Sequence, residues 1–211
     1  MPTRVKICGI TRVEDALTAA RLGAHAIGLM FWPQSARAIT PAVAREIVAV
    51  LPPFVSVVGV FVNPERELVK EAIAVAGLNM LQFHGDAVHE TPEFCGQCSL
   101  PYIKAVRVRK GLDLLQYATQ YAGASGLLLD TYIEGAPGGT GQVFDWNLIP
   151  RNLPLPLILS GGLNPDNVTA AIRQVQPWAV DVSSGVELAK GIKDAEKIAA
   201  FMQGVSRSES I

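Results

Sequence analysis

The sequence predicts an α/β protein folded as a single (β/α)8 barrel, the TIM-barrel architecture, with its active site at the carboxyl ends of the strands. Three observations predict it. Short runs rich in Val, Ile and Leu recur eight times; amphipathic stretches separate them; and polar or reactive residues stand at the same phase of each unit, just past the apolar run. Near-continuous apolar strands are buried on both faces, as in a parallel sheet covered by helices. Eight alternations close such a sheet on itself, and 211 residues suffice for one core of this kind.

In order, the strands are predicted at RVKICG (4–9), AIGLMF (26–31), VSVVGVF (55–61), MLQFHG (80–85), YIKAVRV (102–108), GLLLD (126–130), LPLILSGG (155–162) and AVDVSSG (179–185). Helical periodicity occupies 13–24, 41–51, 65–78, 112–122, 165–176 and 194–204, and is weakest after the fourth and sixth strands. Thr40-Pro41 offers a cap residue followed by Pro at the first helical position, and Asn63-Pro64 and Asn164-Pro165 repeat that pattern. Gly23, Gly77 and Gly123 fall where helices should stop. Residues 1–205 are read as one domain and 206–211 as a polar tail that frays. A doubly wound sheet also alternates strand and helix, but no Gly-x-Gly-x-x-Gly follows the first strand, where CGIT stands instead.

Charge is nearly balanced, 18 Lys and Arg against 19 Asp and Glu, so no long-range field recruits nucleic acid or an anionic membrane. Any anion must be bound locally. No apolar run approaches the roughly 18 residues needed to span a bilayer, and the first residues lack the pattern of a signal peptide. A cytoplasmic protein is expected. Three cysteines make no disulfide framework. Cys95 and Cys98 have the spacing of a redox dithiol, but CGQC is read at a surface helix end rather than at a strand-to-helix turn, so incidental thiols are expected.

The strand ends collect Cys8, Arg37, Asn63, His84, Arg107, Asp130, Ser160 with Gly161 and Gly162, and Asp181 with Ser183, Ser184 and Gly185. The last two clusters suit a phosphate: glycines let backbone N–H groups approach an anion and serines add hydroxyl donors. In barrels of this kind the loops after strands seven and eight hold that group. Asp130 follows three leucines, and such walls raise a carboxyl pKa and can keep it protonated as an acid; position alone leaves a capping or salt-bridged Asp equally open. Cys8 needs a donor or cation to act as a base. Lys6, two residues back on the same strand, shares its face one layer deeper; composition alone favours Cys8 as a small buried apolar residue.

The segments KICGIT, GLMFWPQSARAIT, VGVFVN, LQFHGD, LLLDT followed by GGTGQVFDW, LSGGLNPDNV, and VDVSSGVE with GIKD resemble, in order and from about residue 4 to 201, the phosphoribosylanthranilate isomerase family of tryptophan biosynthesis. The resemblance implies a (β/α)8 barrel and an Amadori rearrangement of N-(5-phosphoribosyl)anthranilate, a phosphorylated small molecule, without cofactor or metal. It implies Asp130 as the acid and Cys8 as the base. It also implies Arg37 as the partner of the anthranilate carboxylate, although family members read Ser-Pro-Arg where this chain has Ser35-Ala36-Arg37. His84 matches a family histidine at the rim and is assigned no proton transfer. Residues 132–142 resemble a flexible loop after strand six, with Gly138, Gly139 and Gly141 letting it close over substrate.

An aldolase would need a Schiff-base Lys at a strand end, and Lys104 lies inside strand five. A metal-dependent epimerase would need more rim ligands than one histidine and two acids. A phosphate-ligand binding protein and a Cys95–Cys98 redox module are the alternatives from other classes. His25 and His89 read as surface residues. A monomer or a homodimer is expected.

Overall fold

The computed structural model of the chain describes residues 2–131 and 144–209. Eight parallel strands close into a barrel in sequence order. They are β1 (Arg4–Cys8), β2 (Ala26–Met30), β3 (Ser56–Phe61), β4 (Met80–Phe83), β5 (Tyr102–Val108), β6 (Gly126–Thr131), β7 (Leu157–Leu159) and β8 (Ala179–Val182). The ring is completed by β8 against β1, where Lys6 stands opposite Asp181.

Around it lie α1 (Val13–Arg21), α2 (Pro41–Ala49), α3 (Arg66–Ala76), α4 (Pro92–Gly96), α5 (Leu114–Gln120), α6 (Val168–Val175) and α7 (Ala195–Glu209). Alternate strand residues such as Ile7, Ile27, Leu29, Leu81 and Phe83 pack outward under these helices. The other set faces the barrel interior, where Ile103, Ala105, Leu128, Ile158 and Ala179 form an apolar floor. Period two then carries each inward row upward from that floor to Cys8, His84, Asp130, Ser160 and Asp181 at the carboxyl rim. The floor is apolar and the rim polar, so the fold itself sends the reactive groups to one end.

Several details depart from the sequence expectations. Thr40 caps α2 by accepting from Val43 N–H, as expected, but the Asn-Pro pairs do not cap. Glu65 precedes α3 and Asn167 precedes α6. Asn63 instead adopts a left-handed backbone and exchanges side-chain hydrogen bonds with Asp86, while Asn164 closes a turn one step before its helix. Thr91-Pro92, not singled out in the sequence, caps α4. Gly23 and Gly77 have positive φ, but α5 ends at Gln120, ahead of Gly123. The tail expected to fray from 206 is helical to Glu209, because Ser208 continues the buried Ile198, Phe201, Val205 stripe and Arg173 holds the carbonyl of Arg207. After β6, the only helical element among the described residues before β7 is a single turn at Trp146–Leu148, and after β8 a short antiparallel ribbon appears, β9 (Glu187–Ala189) with β10 (Ile192–Lys193). The sequence reading missed that ribbon.

Candidate active site

One cavity of about 640 Å³ opens at the carboxyl rim, and Cys8, Arg37, His84, Asp130, Gly161, Gly162, Asp181, Ser183 and Ser184 all line it. Asn63 and Arg107 end their strands without lining it, and neither does Gly185. A Cβ on Gly185 would meet the carbonyl of Leu163 and lie 3.0 Å from Asn164 Cα, so its part is to let the loops after β7 and β8 touch. Gly138, Gly139 and Gly141, expected in a lid, lie outside the described residues.

Cys8 ends β1 and is buried. Its thiol is pushed up first by burial and by the nearby Asp181 carboxylate, against the pull of Lys6 and Lys193. Lys6 Nζ donates to Asp181 Oδ1 at 2.7 Å, both side chains being 6% exposed, and Ser160 Oγ donates to Asp181 Oδ2 at 3.3 Å. Burial disfavours the Lys6 ammonium, but Asp181 and the Cys8 sulfur outweigh it and raise its pKa. The Asp181 carboxylate is thus already engaged, and what it offers a ligand is its remaining acceptor capacity.

On the opposite wall, Asp130 Oδ1 accepts from Thr131 N–H at 2.8 Å and Oδ2 lies 3.1 Å from His84 Nε2. The leucines of β6 do press its pKa upward by desolvation, as expected, yet the hydrogen bond and charge of His84, the Thr131 amide and Arg107 outweigh them and hold it below the usual carboxylate range. The expectation of an un-ionised carboxyl is therefore corrected: the protein's own groups favour the carboxylate. Ionised Asp130 accepts from His84 Nε2–H, and His84 Nδ1 lies 3.2 Å from the Gln82 amide nitrogen. Gln82 also lines the cavity, and its Oε1 is buried with no hydrogen-bond partner among the described residues. Only its place two residues before His84 on an alternating strand could have pointed to it.

Arg37 holds a fork-on-fork pair with Glu187, Nε and Nη2 each 2.7 Å from a carboxylate oxygen. Glu187 also accepts from Lys193 Nζ at 2.9 Å, and Lys193 donates in turn to Ser183 O at 3.1 Å. The ribbon of β9 and β10 thus ties the arginine to the serine loop. Gly9, at φ +73°, leaves the room this needs, since a Cβ there would sit 2.5 Å from Arg37 Cδ. One edge of the guanidinium is taken by the protein's own carboxylate, which leaves the Nη1 edge for a ligand. Gly161 and Gly162 follow β7 with φ of +83° and +69°, and a Cβ on Gly161 would lie 2.8 Å from Asp130 Oδ1. Gly161 thus brings backbone directly against the Asp130 carboxylate.

The family model for N-(5'phosphoribosyl)anthranilate (PRA) isomerase matches residues 5–204. The chain belongs to this family. The N-(5'-phosphoribosyl)anthranilate isomerase of Nitrosospira multiformis is 72% identical over 211 residues, all of both chains. A crystal structure of the Thermotoga maritima isomerase superposes with a TM-score of 0.89 at 44% identity, covering 97% of this chain and 99% of that one. Another, at TM-score 0.86, 44% identity and the same coverage, is of an isomerase in complex with reduced 1-(o-carboxyphenylamino)-1-deoxyribulose 5-phosphate. A third, at 42% identity, the same coverage and TM-score 0.85, is of monomers generated from the dimeric Thermotoga maritima isomerase. The family and barrel expected from the motifs are those found, and the chain is an isomerase.

Among the described residues no group of three His, Cys, Asp or Glu side chains gathers that could hold a metal, and no helix is long and apolar enough to cross a membrane. Lys104, the alternative Schiff-base residue, lies behind the barrel, fully buried and 2.7 Å from Glu90. His25 and His89 are exposed, as expected.

Proposed function

We propose that the chain converts N-(5-phosphoribosyl)anthranilate to 1-(2-carboxyphenylamino)-1-deoxyribulose 5-phosphate in tryptophan biosynthesis, by general acid-base catalysis with Asp130 as acid and Cys8 as base. The observation that carries this reading is that both side chains line one rim cavity, Cys8 from β1 and Asp130 from β6, beside a wall of glycine and serine loops. The substrate's phosphate meets the backbone at Gly161, Gly162, Ser183 and Ser184. Its anthranilate carboxylate meets the free edge of Arg37, a planar fork suited to a planar anion.

Asp130 delivers a proton to the furanose ring oxygen as the amine lone pair opens the ring to an iminium. Cys8, as the thiolate, then takes the C2 proton; the C–H electron pair forms the C1–C2 double bond and the iminium π pair returns to nitrogen, giving an enolamine. Asp130 must therefore take up a proton before it can act as the acid. A dianionic phosphate and a carboxylate arriving in the same cavity raise its proton affinity, and His84, 3.1 Å away, is placed to pass it one.

The test is conversion of freshly generated phosphoribosylanthranilate, followed by loss of anthranilate-type fluorescence; a well-folded protein that leaves the signal unchanged would overturn the assignment. No cofactor is required by this chemistry. We place the protein in the cytoplasm, which suits its three free cysteines. Phe54, fully exposed at a left-handed backbone position, is where a homodimer contact would be sought by sedimentation.

A further inference from the structure

Two inward residues of β1, Lys6 and Cys8, occupy the space in front of Gly28 on the neighbouring strand. A Cβ on Gly28 would lie 2.7 Å from Cys8 Sγ and 3.1 Å from Lys6 Cε, so the sulfur and the end of the lysine chain share one small gap. The lysine is not free to leave it. Its ammonium is held 2.7 Å from Asp181 Oδ1 on the strand at the other side, in the register that pairs Lys6 with Asp181, and Ser160 steadies the carboxylate from β7. Such a buried pair gives little net stability and is expensive to break on one side. A barrel interior could have been filled at this level by aliphatic side chains, as its floor is.

We propose that Lys6 is a positioning residue for the base: pinned by Asp181, it seats the Cys8 sulfur against Gly28 and holds the negative charge of the thiolate that takes the substrate's C2 proton. This rests on the reading of Cys8 as the base. The thiol's own proton leaves to bulk water through the open cavity, and the C2 proton later replaces it on sulfur. Among the described residues, four charged groups face the sulfur: Lys6 from β1, Asp181 from β8, Lys193 from β10 and Arg37 from the loop after β2. Lys6 and Asp181 act on it in opposite senses. That opposition separates an electrostatic role from mere packing.

The experiment measures carboxamidomethylation of Cys8 by iodoacetamide against pH, read from the mass of the Cys8 peptide. In Lys6→Met the pH midpoint rises by about one unit or more, slowing reaction at pH 7 about tenfold. In Asp181→Asn the midpoint falls below that of the parent protein. The double variant Lys6→Met/Asp181→Asn strands no buried charge, so it keeps the test alive if Lys6→Met does not fold, and its midpoint lies above the parent's. With phosphoribosylanthranilate, a folded lysine-less variant loses kcat with little change in KM, and its basic limb shifts the same way as its thiol. Midpoints that stay put, or single variants that shift in the same direction, overturn the role of Lys6. An active Cys8→Ser would instead overturn the base itself, so the two failures are distinguishable.

Discussion

The two reactive walls of the cavity are built on the same strand rule and tuned in opposite ways. On the Cys8 wall, the residue two positions back is a lysine locked into a buried ion pair with Asp181. On the Asp130 wall, the partner is an imidazole 3.1 Å away, backed by a glutamine two positions earlier on β4. A fixed ammonium can stabilise a neighbouring anion but, paired and buried, has nowhere to send a proton. An imidazole next to a carboxylate can both hold a charge and exchange a proton. On the proposed reading, a static field offsets part of the cost of burying the base while an imidazole can relay a proton to the acid, which is the division of labour that ring opening followed by C2 deprotonation requires.

Removing either reacting atom should break the comparison outright. Cys8→Ser and Asp130→Asn are each expected to lower kcat about 10²–10⁴-fold, the range for a positioned acid or base, with KM changed far less. A fluorescence progress curve measures both. Near-normal turnover in either variant would leave that wall with no chemical role.

Weakening the reservoir should cost less and reveal its sign. His84→Leu leaves Asp130 its Thr131 amide and Arg107 but takes away the imidazole that does most to offset burial. Turnover is expected to fall by about tenfold, because the carboxyl itself remains and only its supply of protons is disturbed. The same variant has a signature in folding. In the parent protein the folded pKa of Asp130 lies below its unfolded value of about 3.9. Its stabilising contribution is therefore fully present above that pH and is lost as pH falls through the depressed folded value. Without His84 the folded pKa moves up, so acid unfolding followed by circular dichroism should begin at higher pH. An unchanged acid midpoint would show that the imidazole does not hold the carboxylate.

The barrel, the rim and the phase of most site residues were legible because they depend on periodicity, which a linear sequence displays directly. Eight apolar runs and an alternation of two suffice to place Cys8, His84, Asp130 and Asp181 on one face at one end. Pairings across the barrel were not legible. Nothing near Arg37 in the chain announces Glu187, 150 residues away, and the β9–β10 ribbon that brings Glu187 and Lys193 back to the rim is too short to show a strand pattern. The ionisation of Asp130 failed for the same reason: its leucine neighbours are local, whereas His84 comes from β4. The motif resemblance led to the reaction, while the ion pairs needed coordinates.

The smallest effect is expected away from both walls, at Cys95 and Cys98. Cys95 is fully buried at the end of α4, donates from Sγ to the carbonyl of Glu90, and is pushed up to about 12, chiefly by burial. Such a thiol is almost wholly protonated near neutral pH, so little thiolate is present to attack a disulfide. Cys98 donates to the carbonyl of Phe94 one helical turn back. The Cys95 sulfur satisfies a backbone acceptor beside the buried Glu90–Lys104 pair, and the Cys98 sulfur one at Phe94. The double variant Cys95→Ser/Cys98→Ser should therefore keep kcat and KM within a factor of two, since neither sulfur lines the rim cavity. Its cost should appear in thermal unfolding, as a fall of a few degrees from replacing a buried sulfur with a smaller hydroxyl, on the order of 1 kcal/mol. A large loss of turnover at unchanged stability would mean that the dithiol has a part in catalysis and would return the redox reading to consideration.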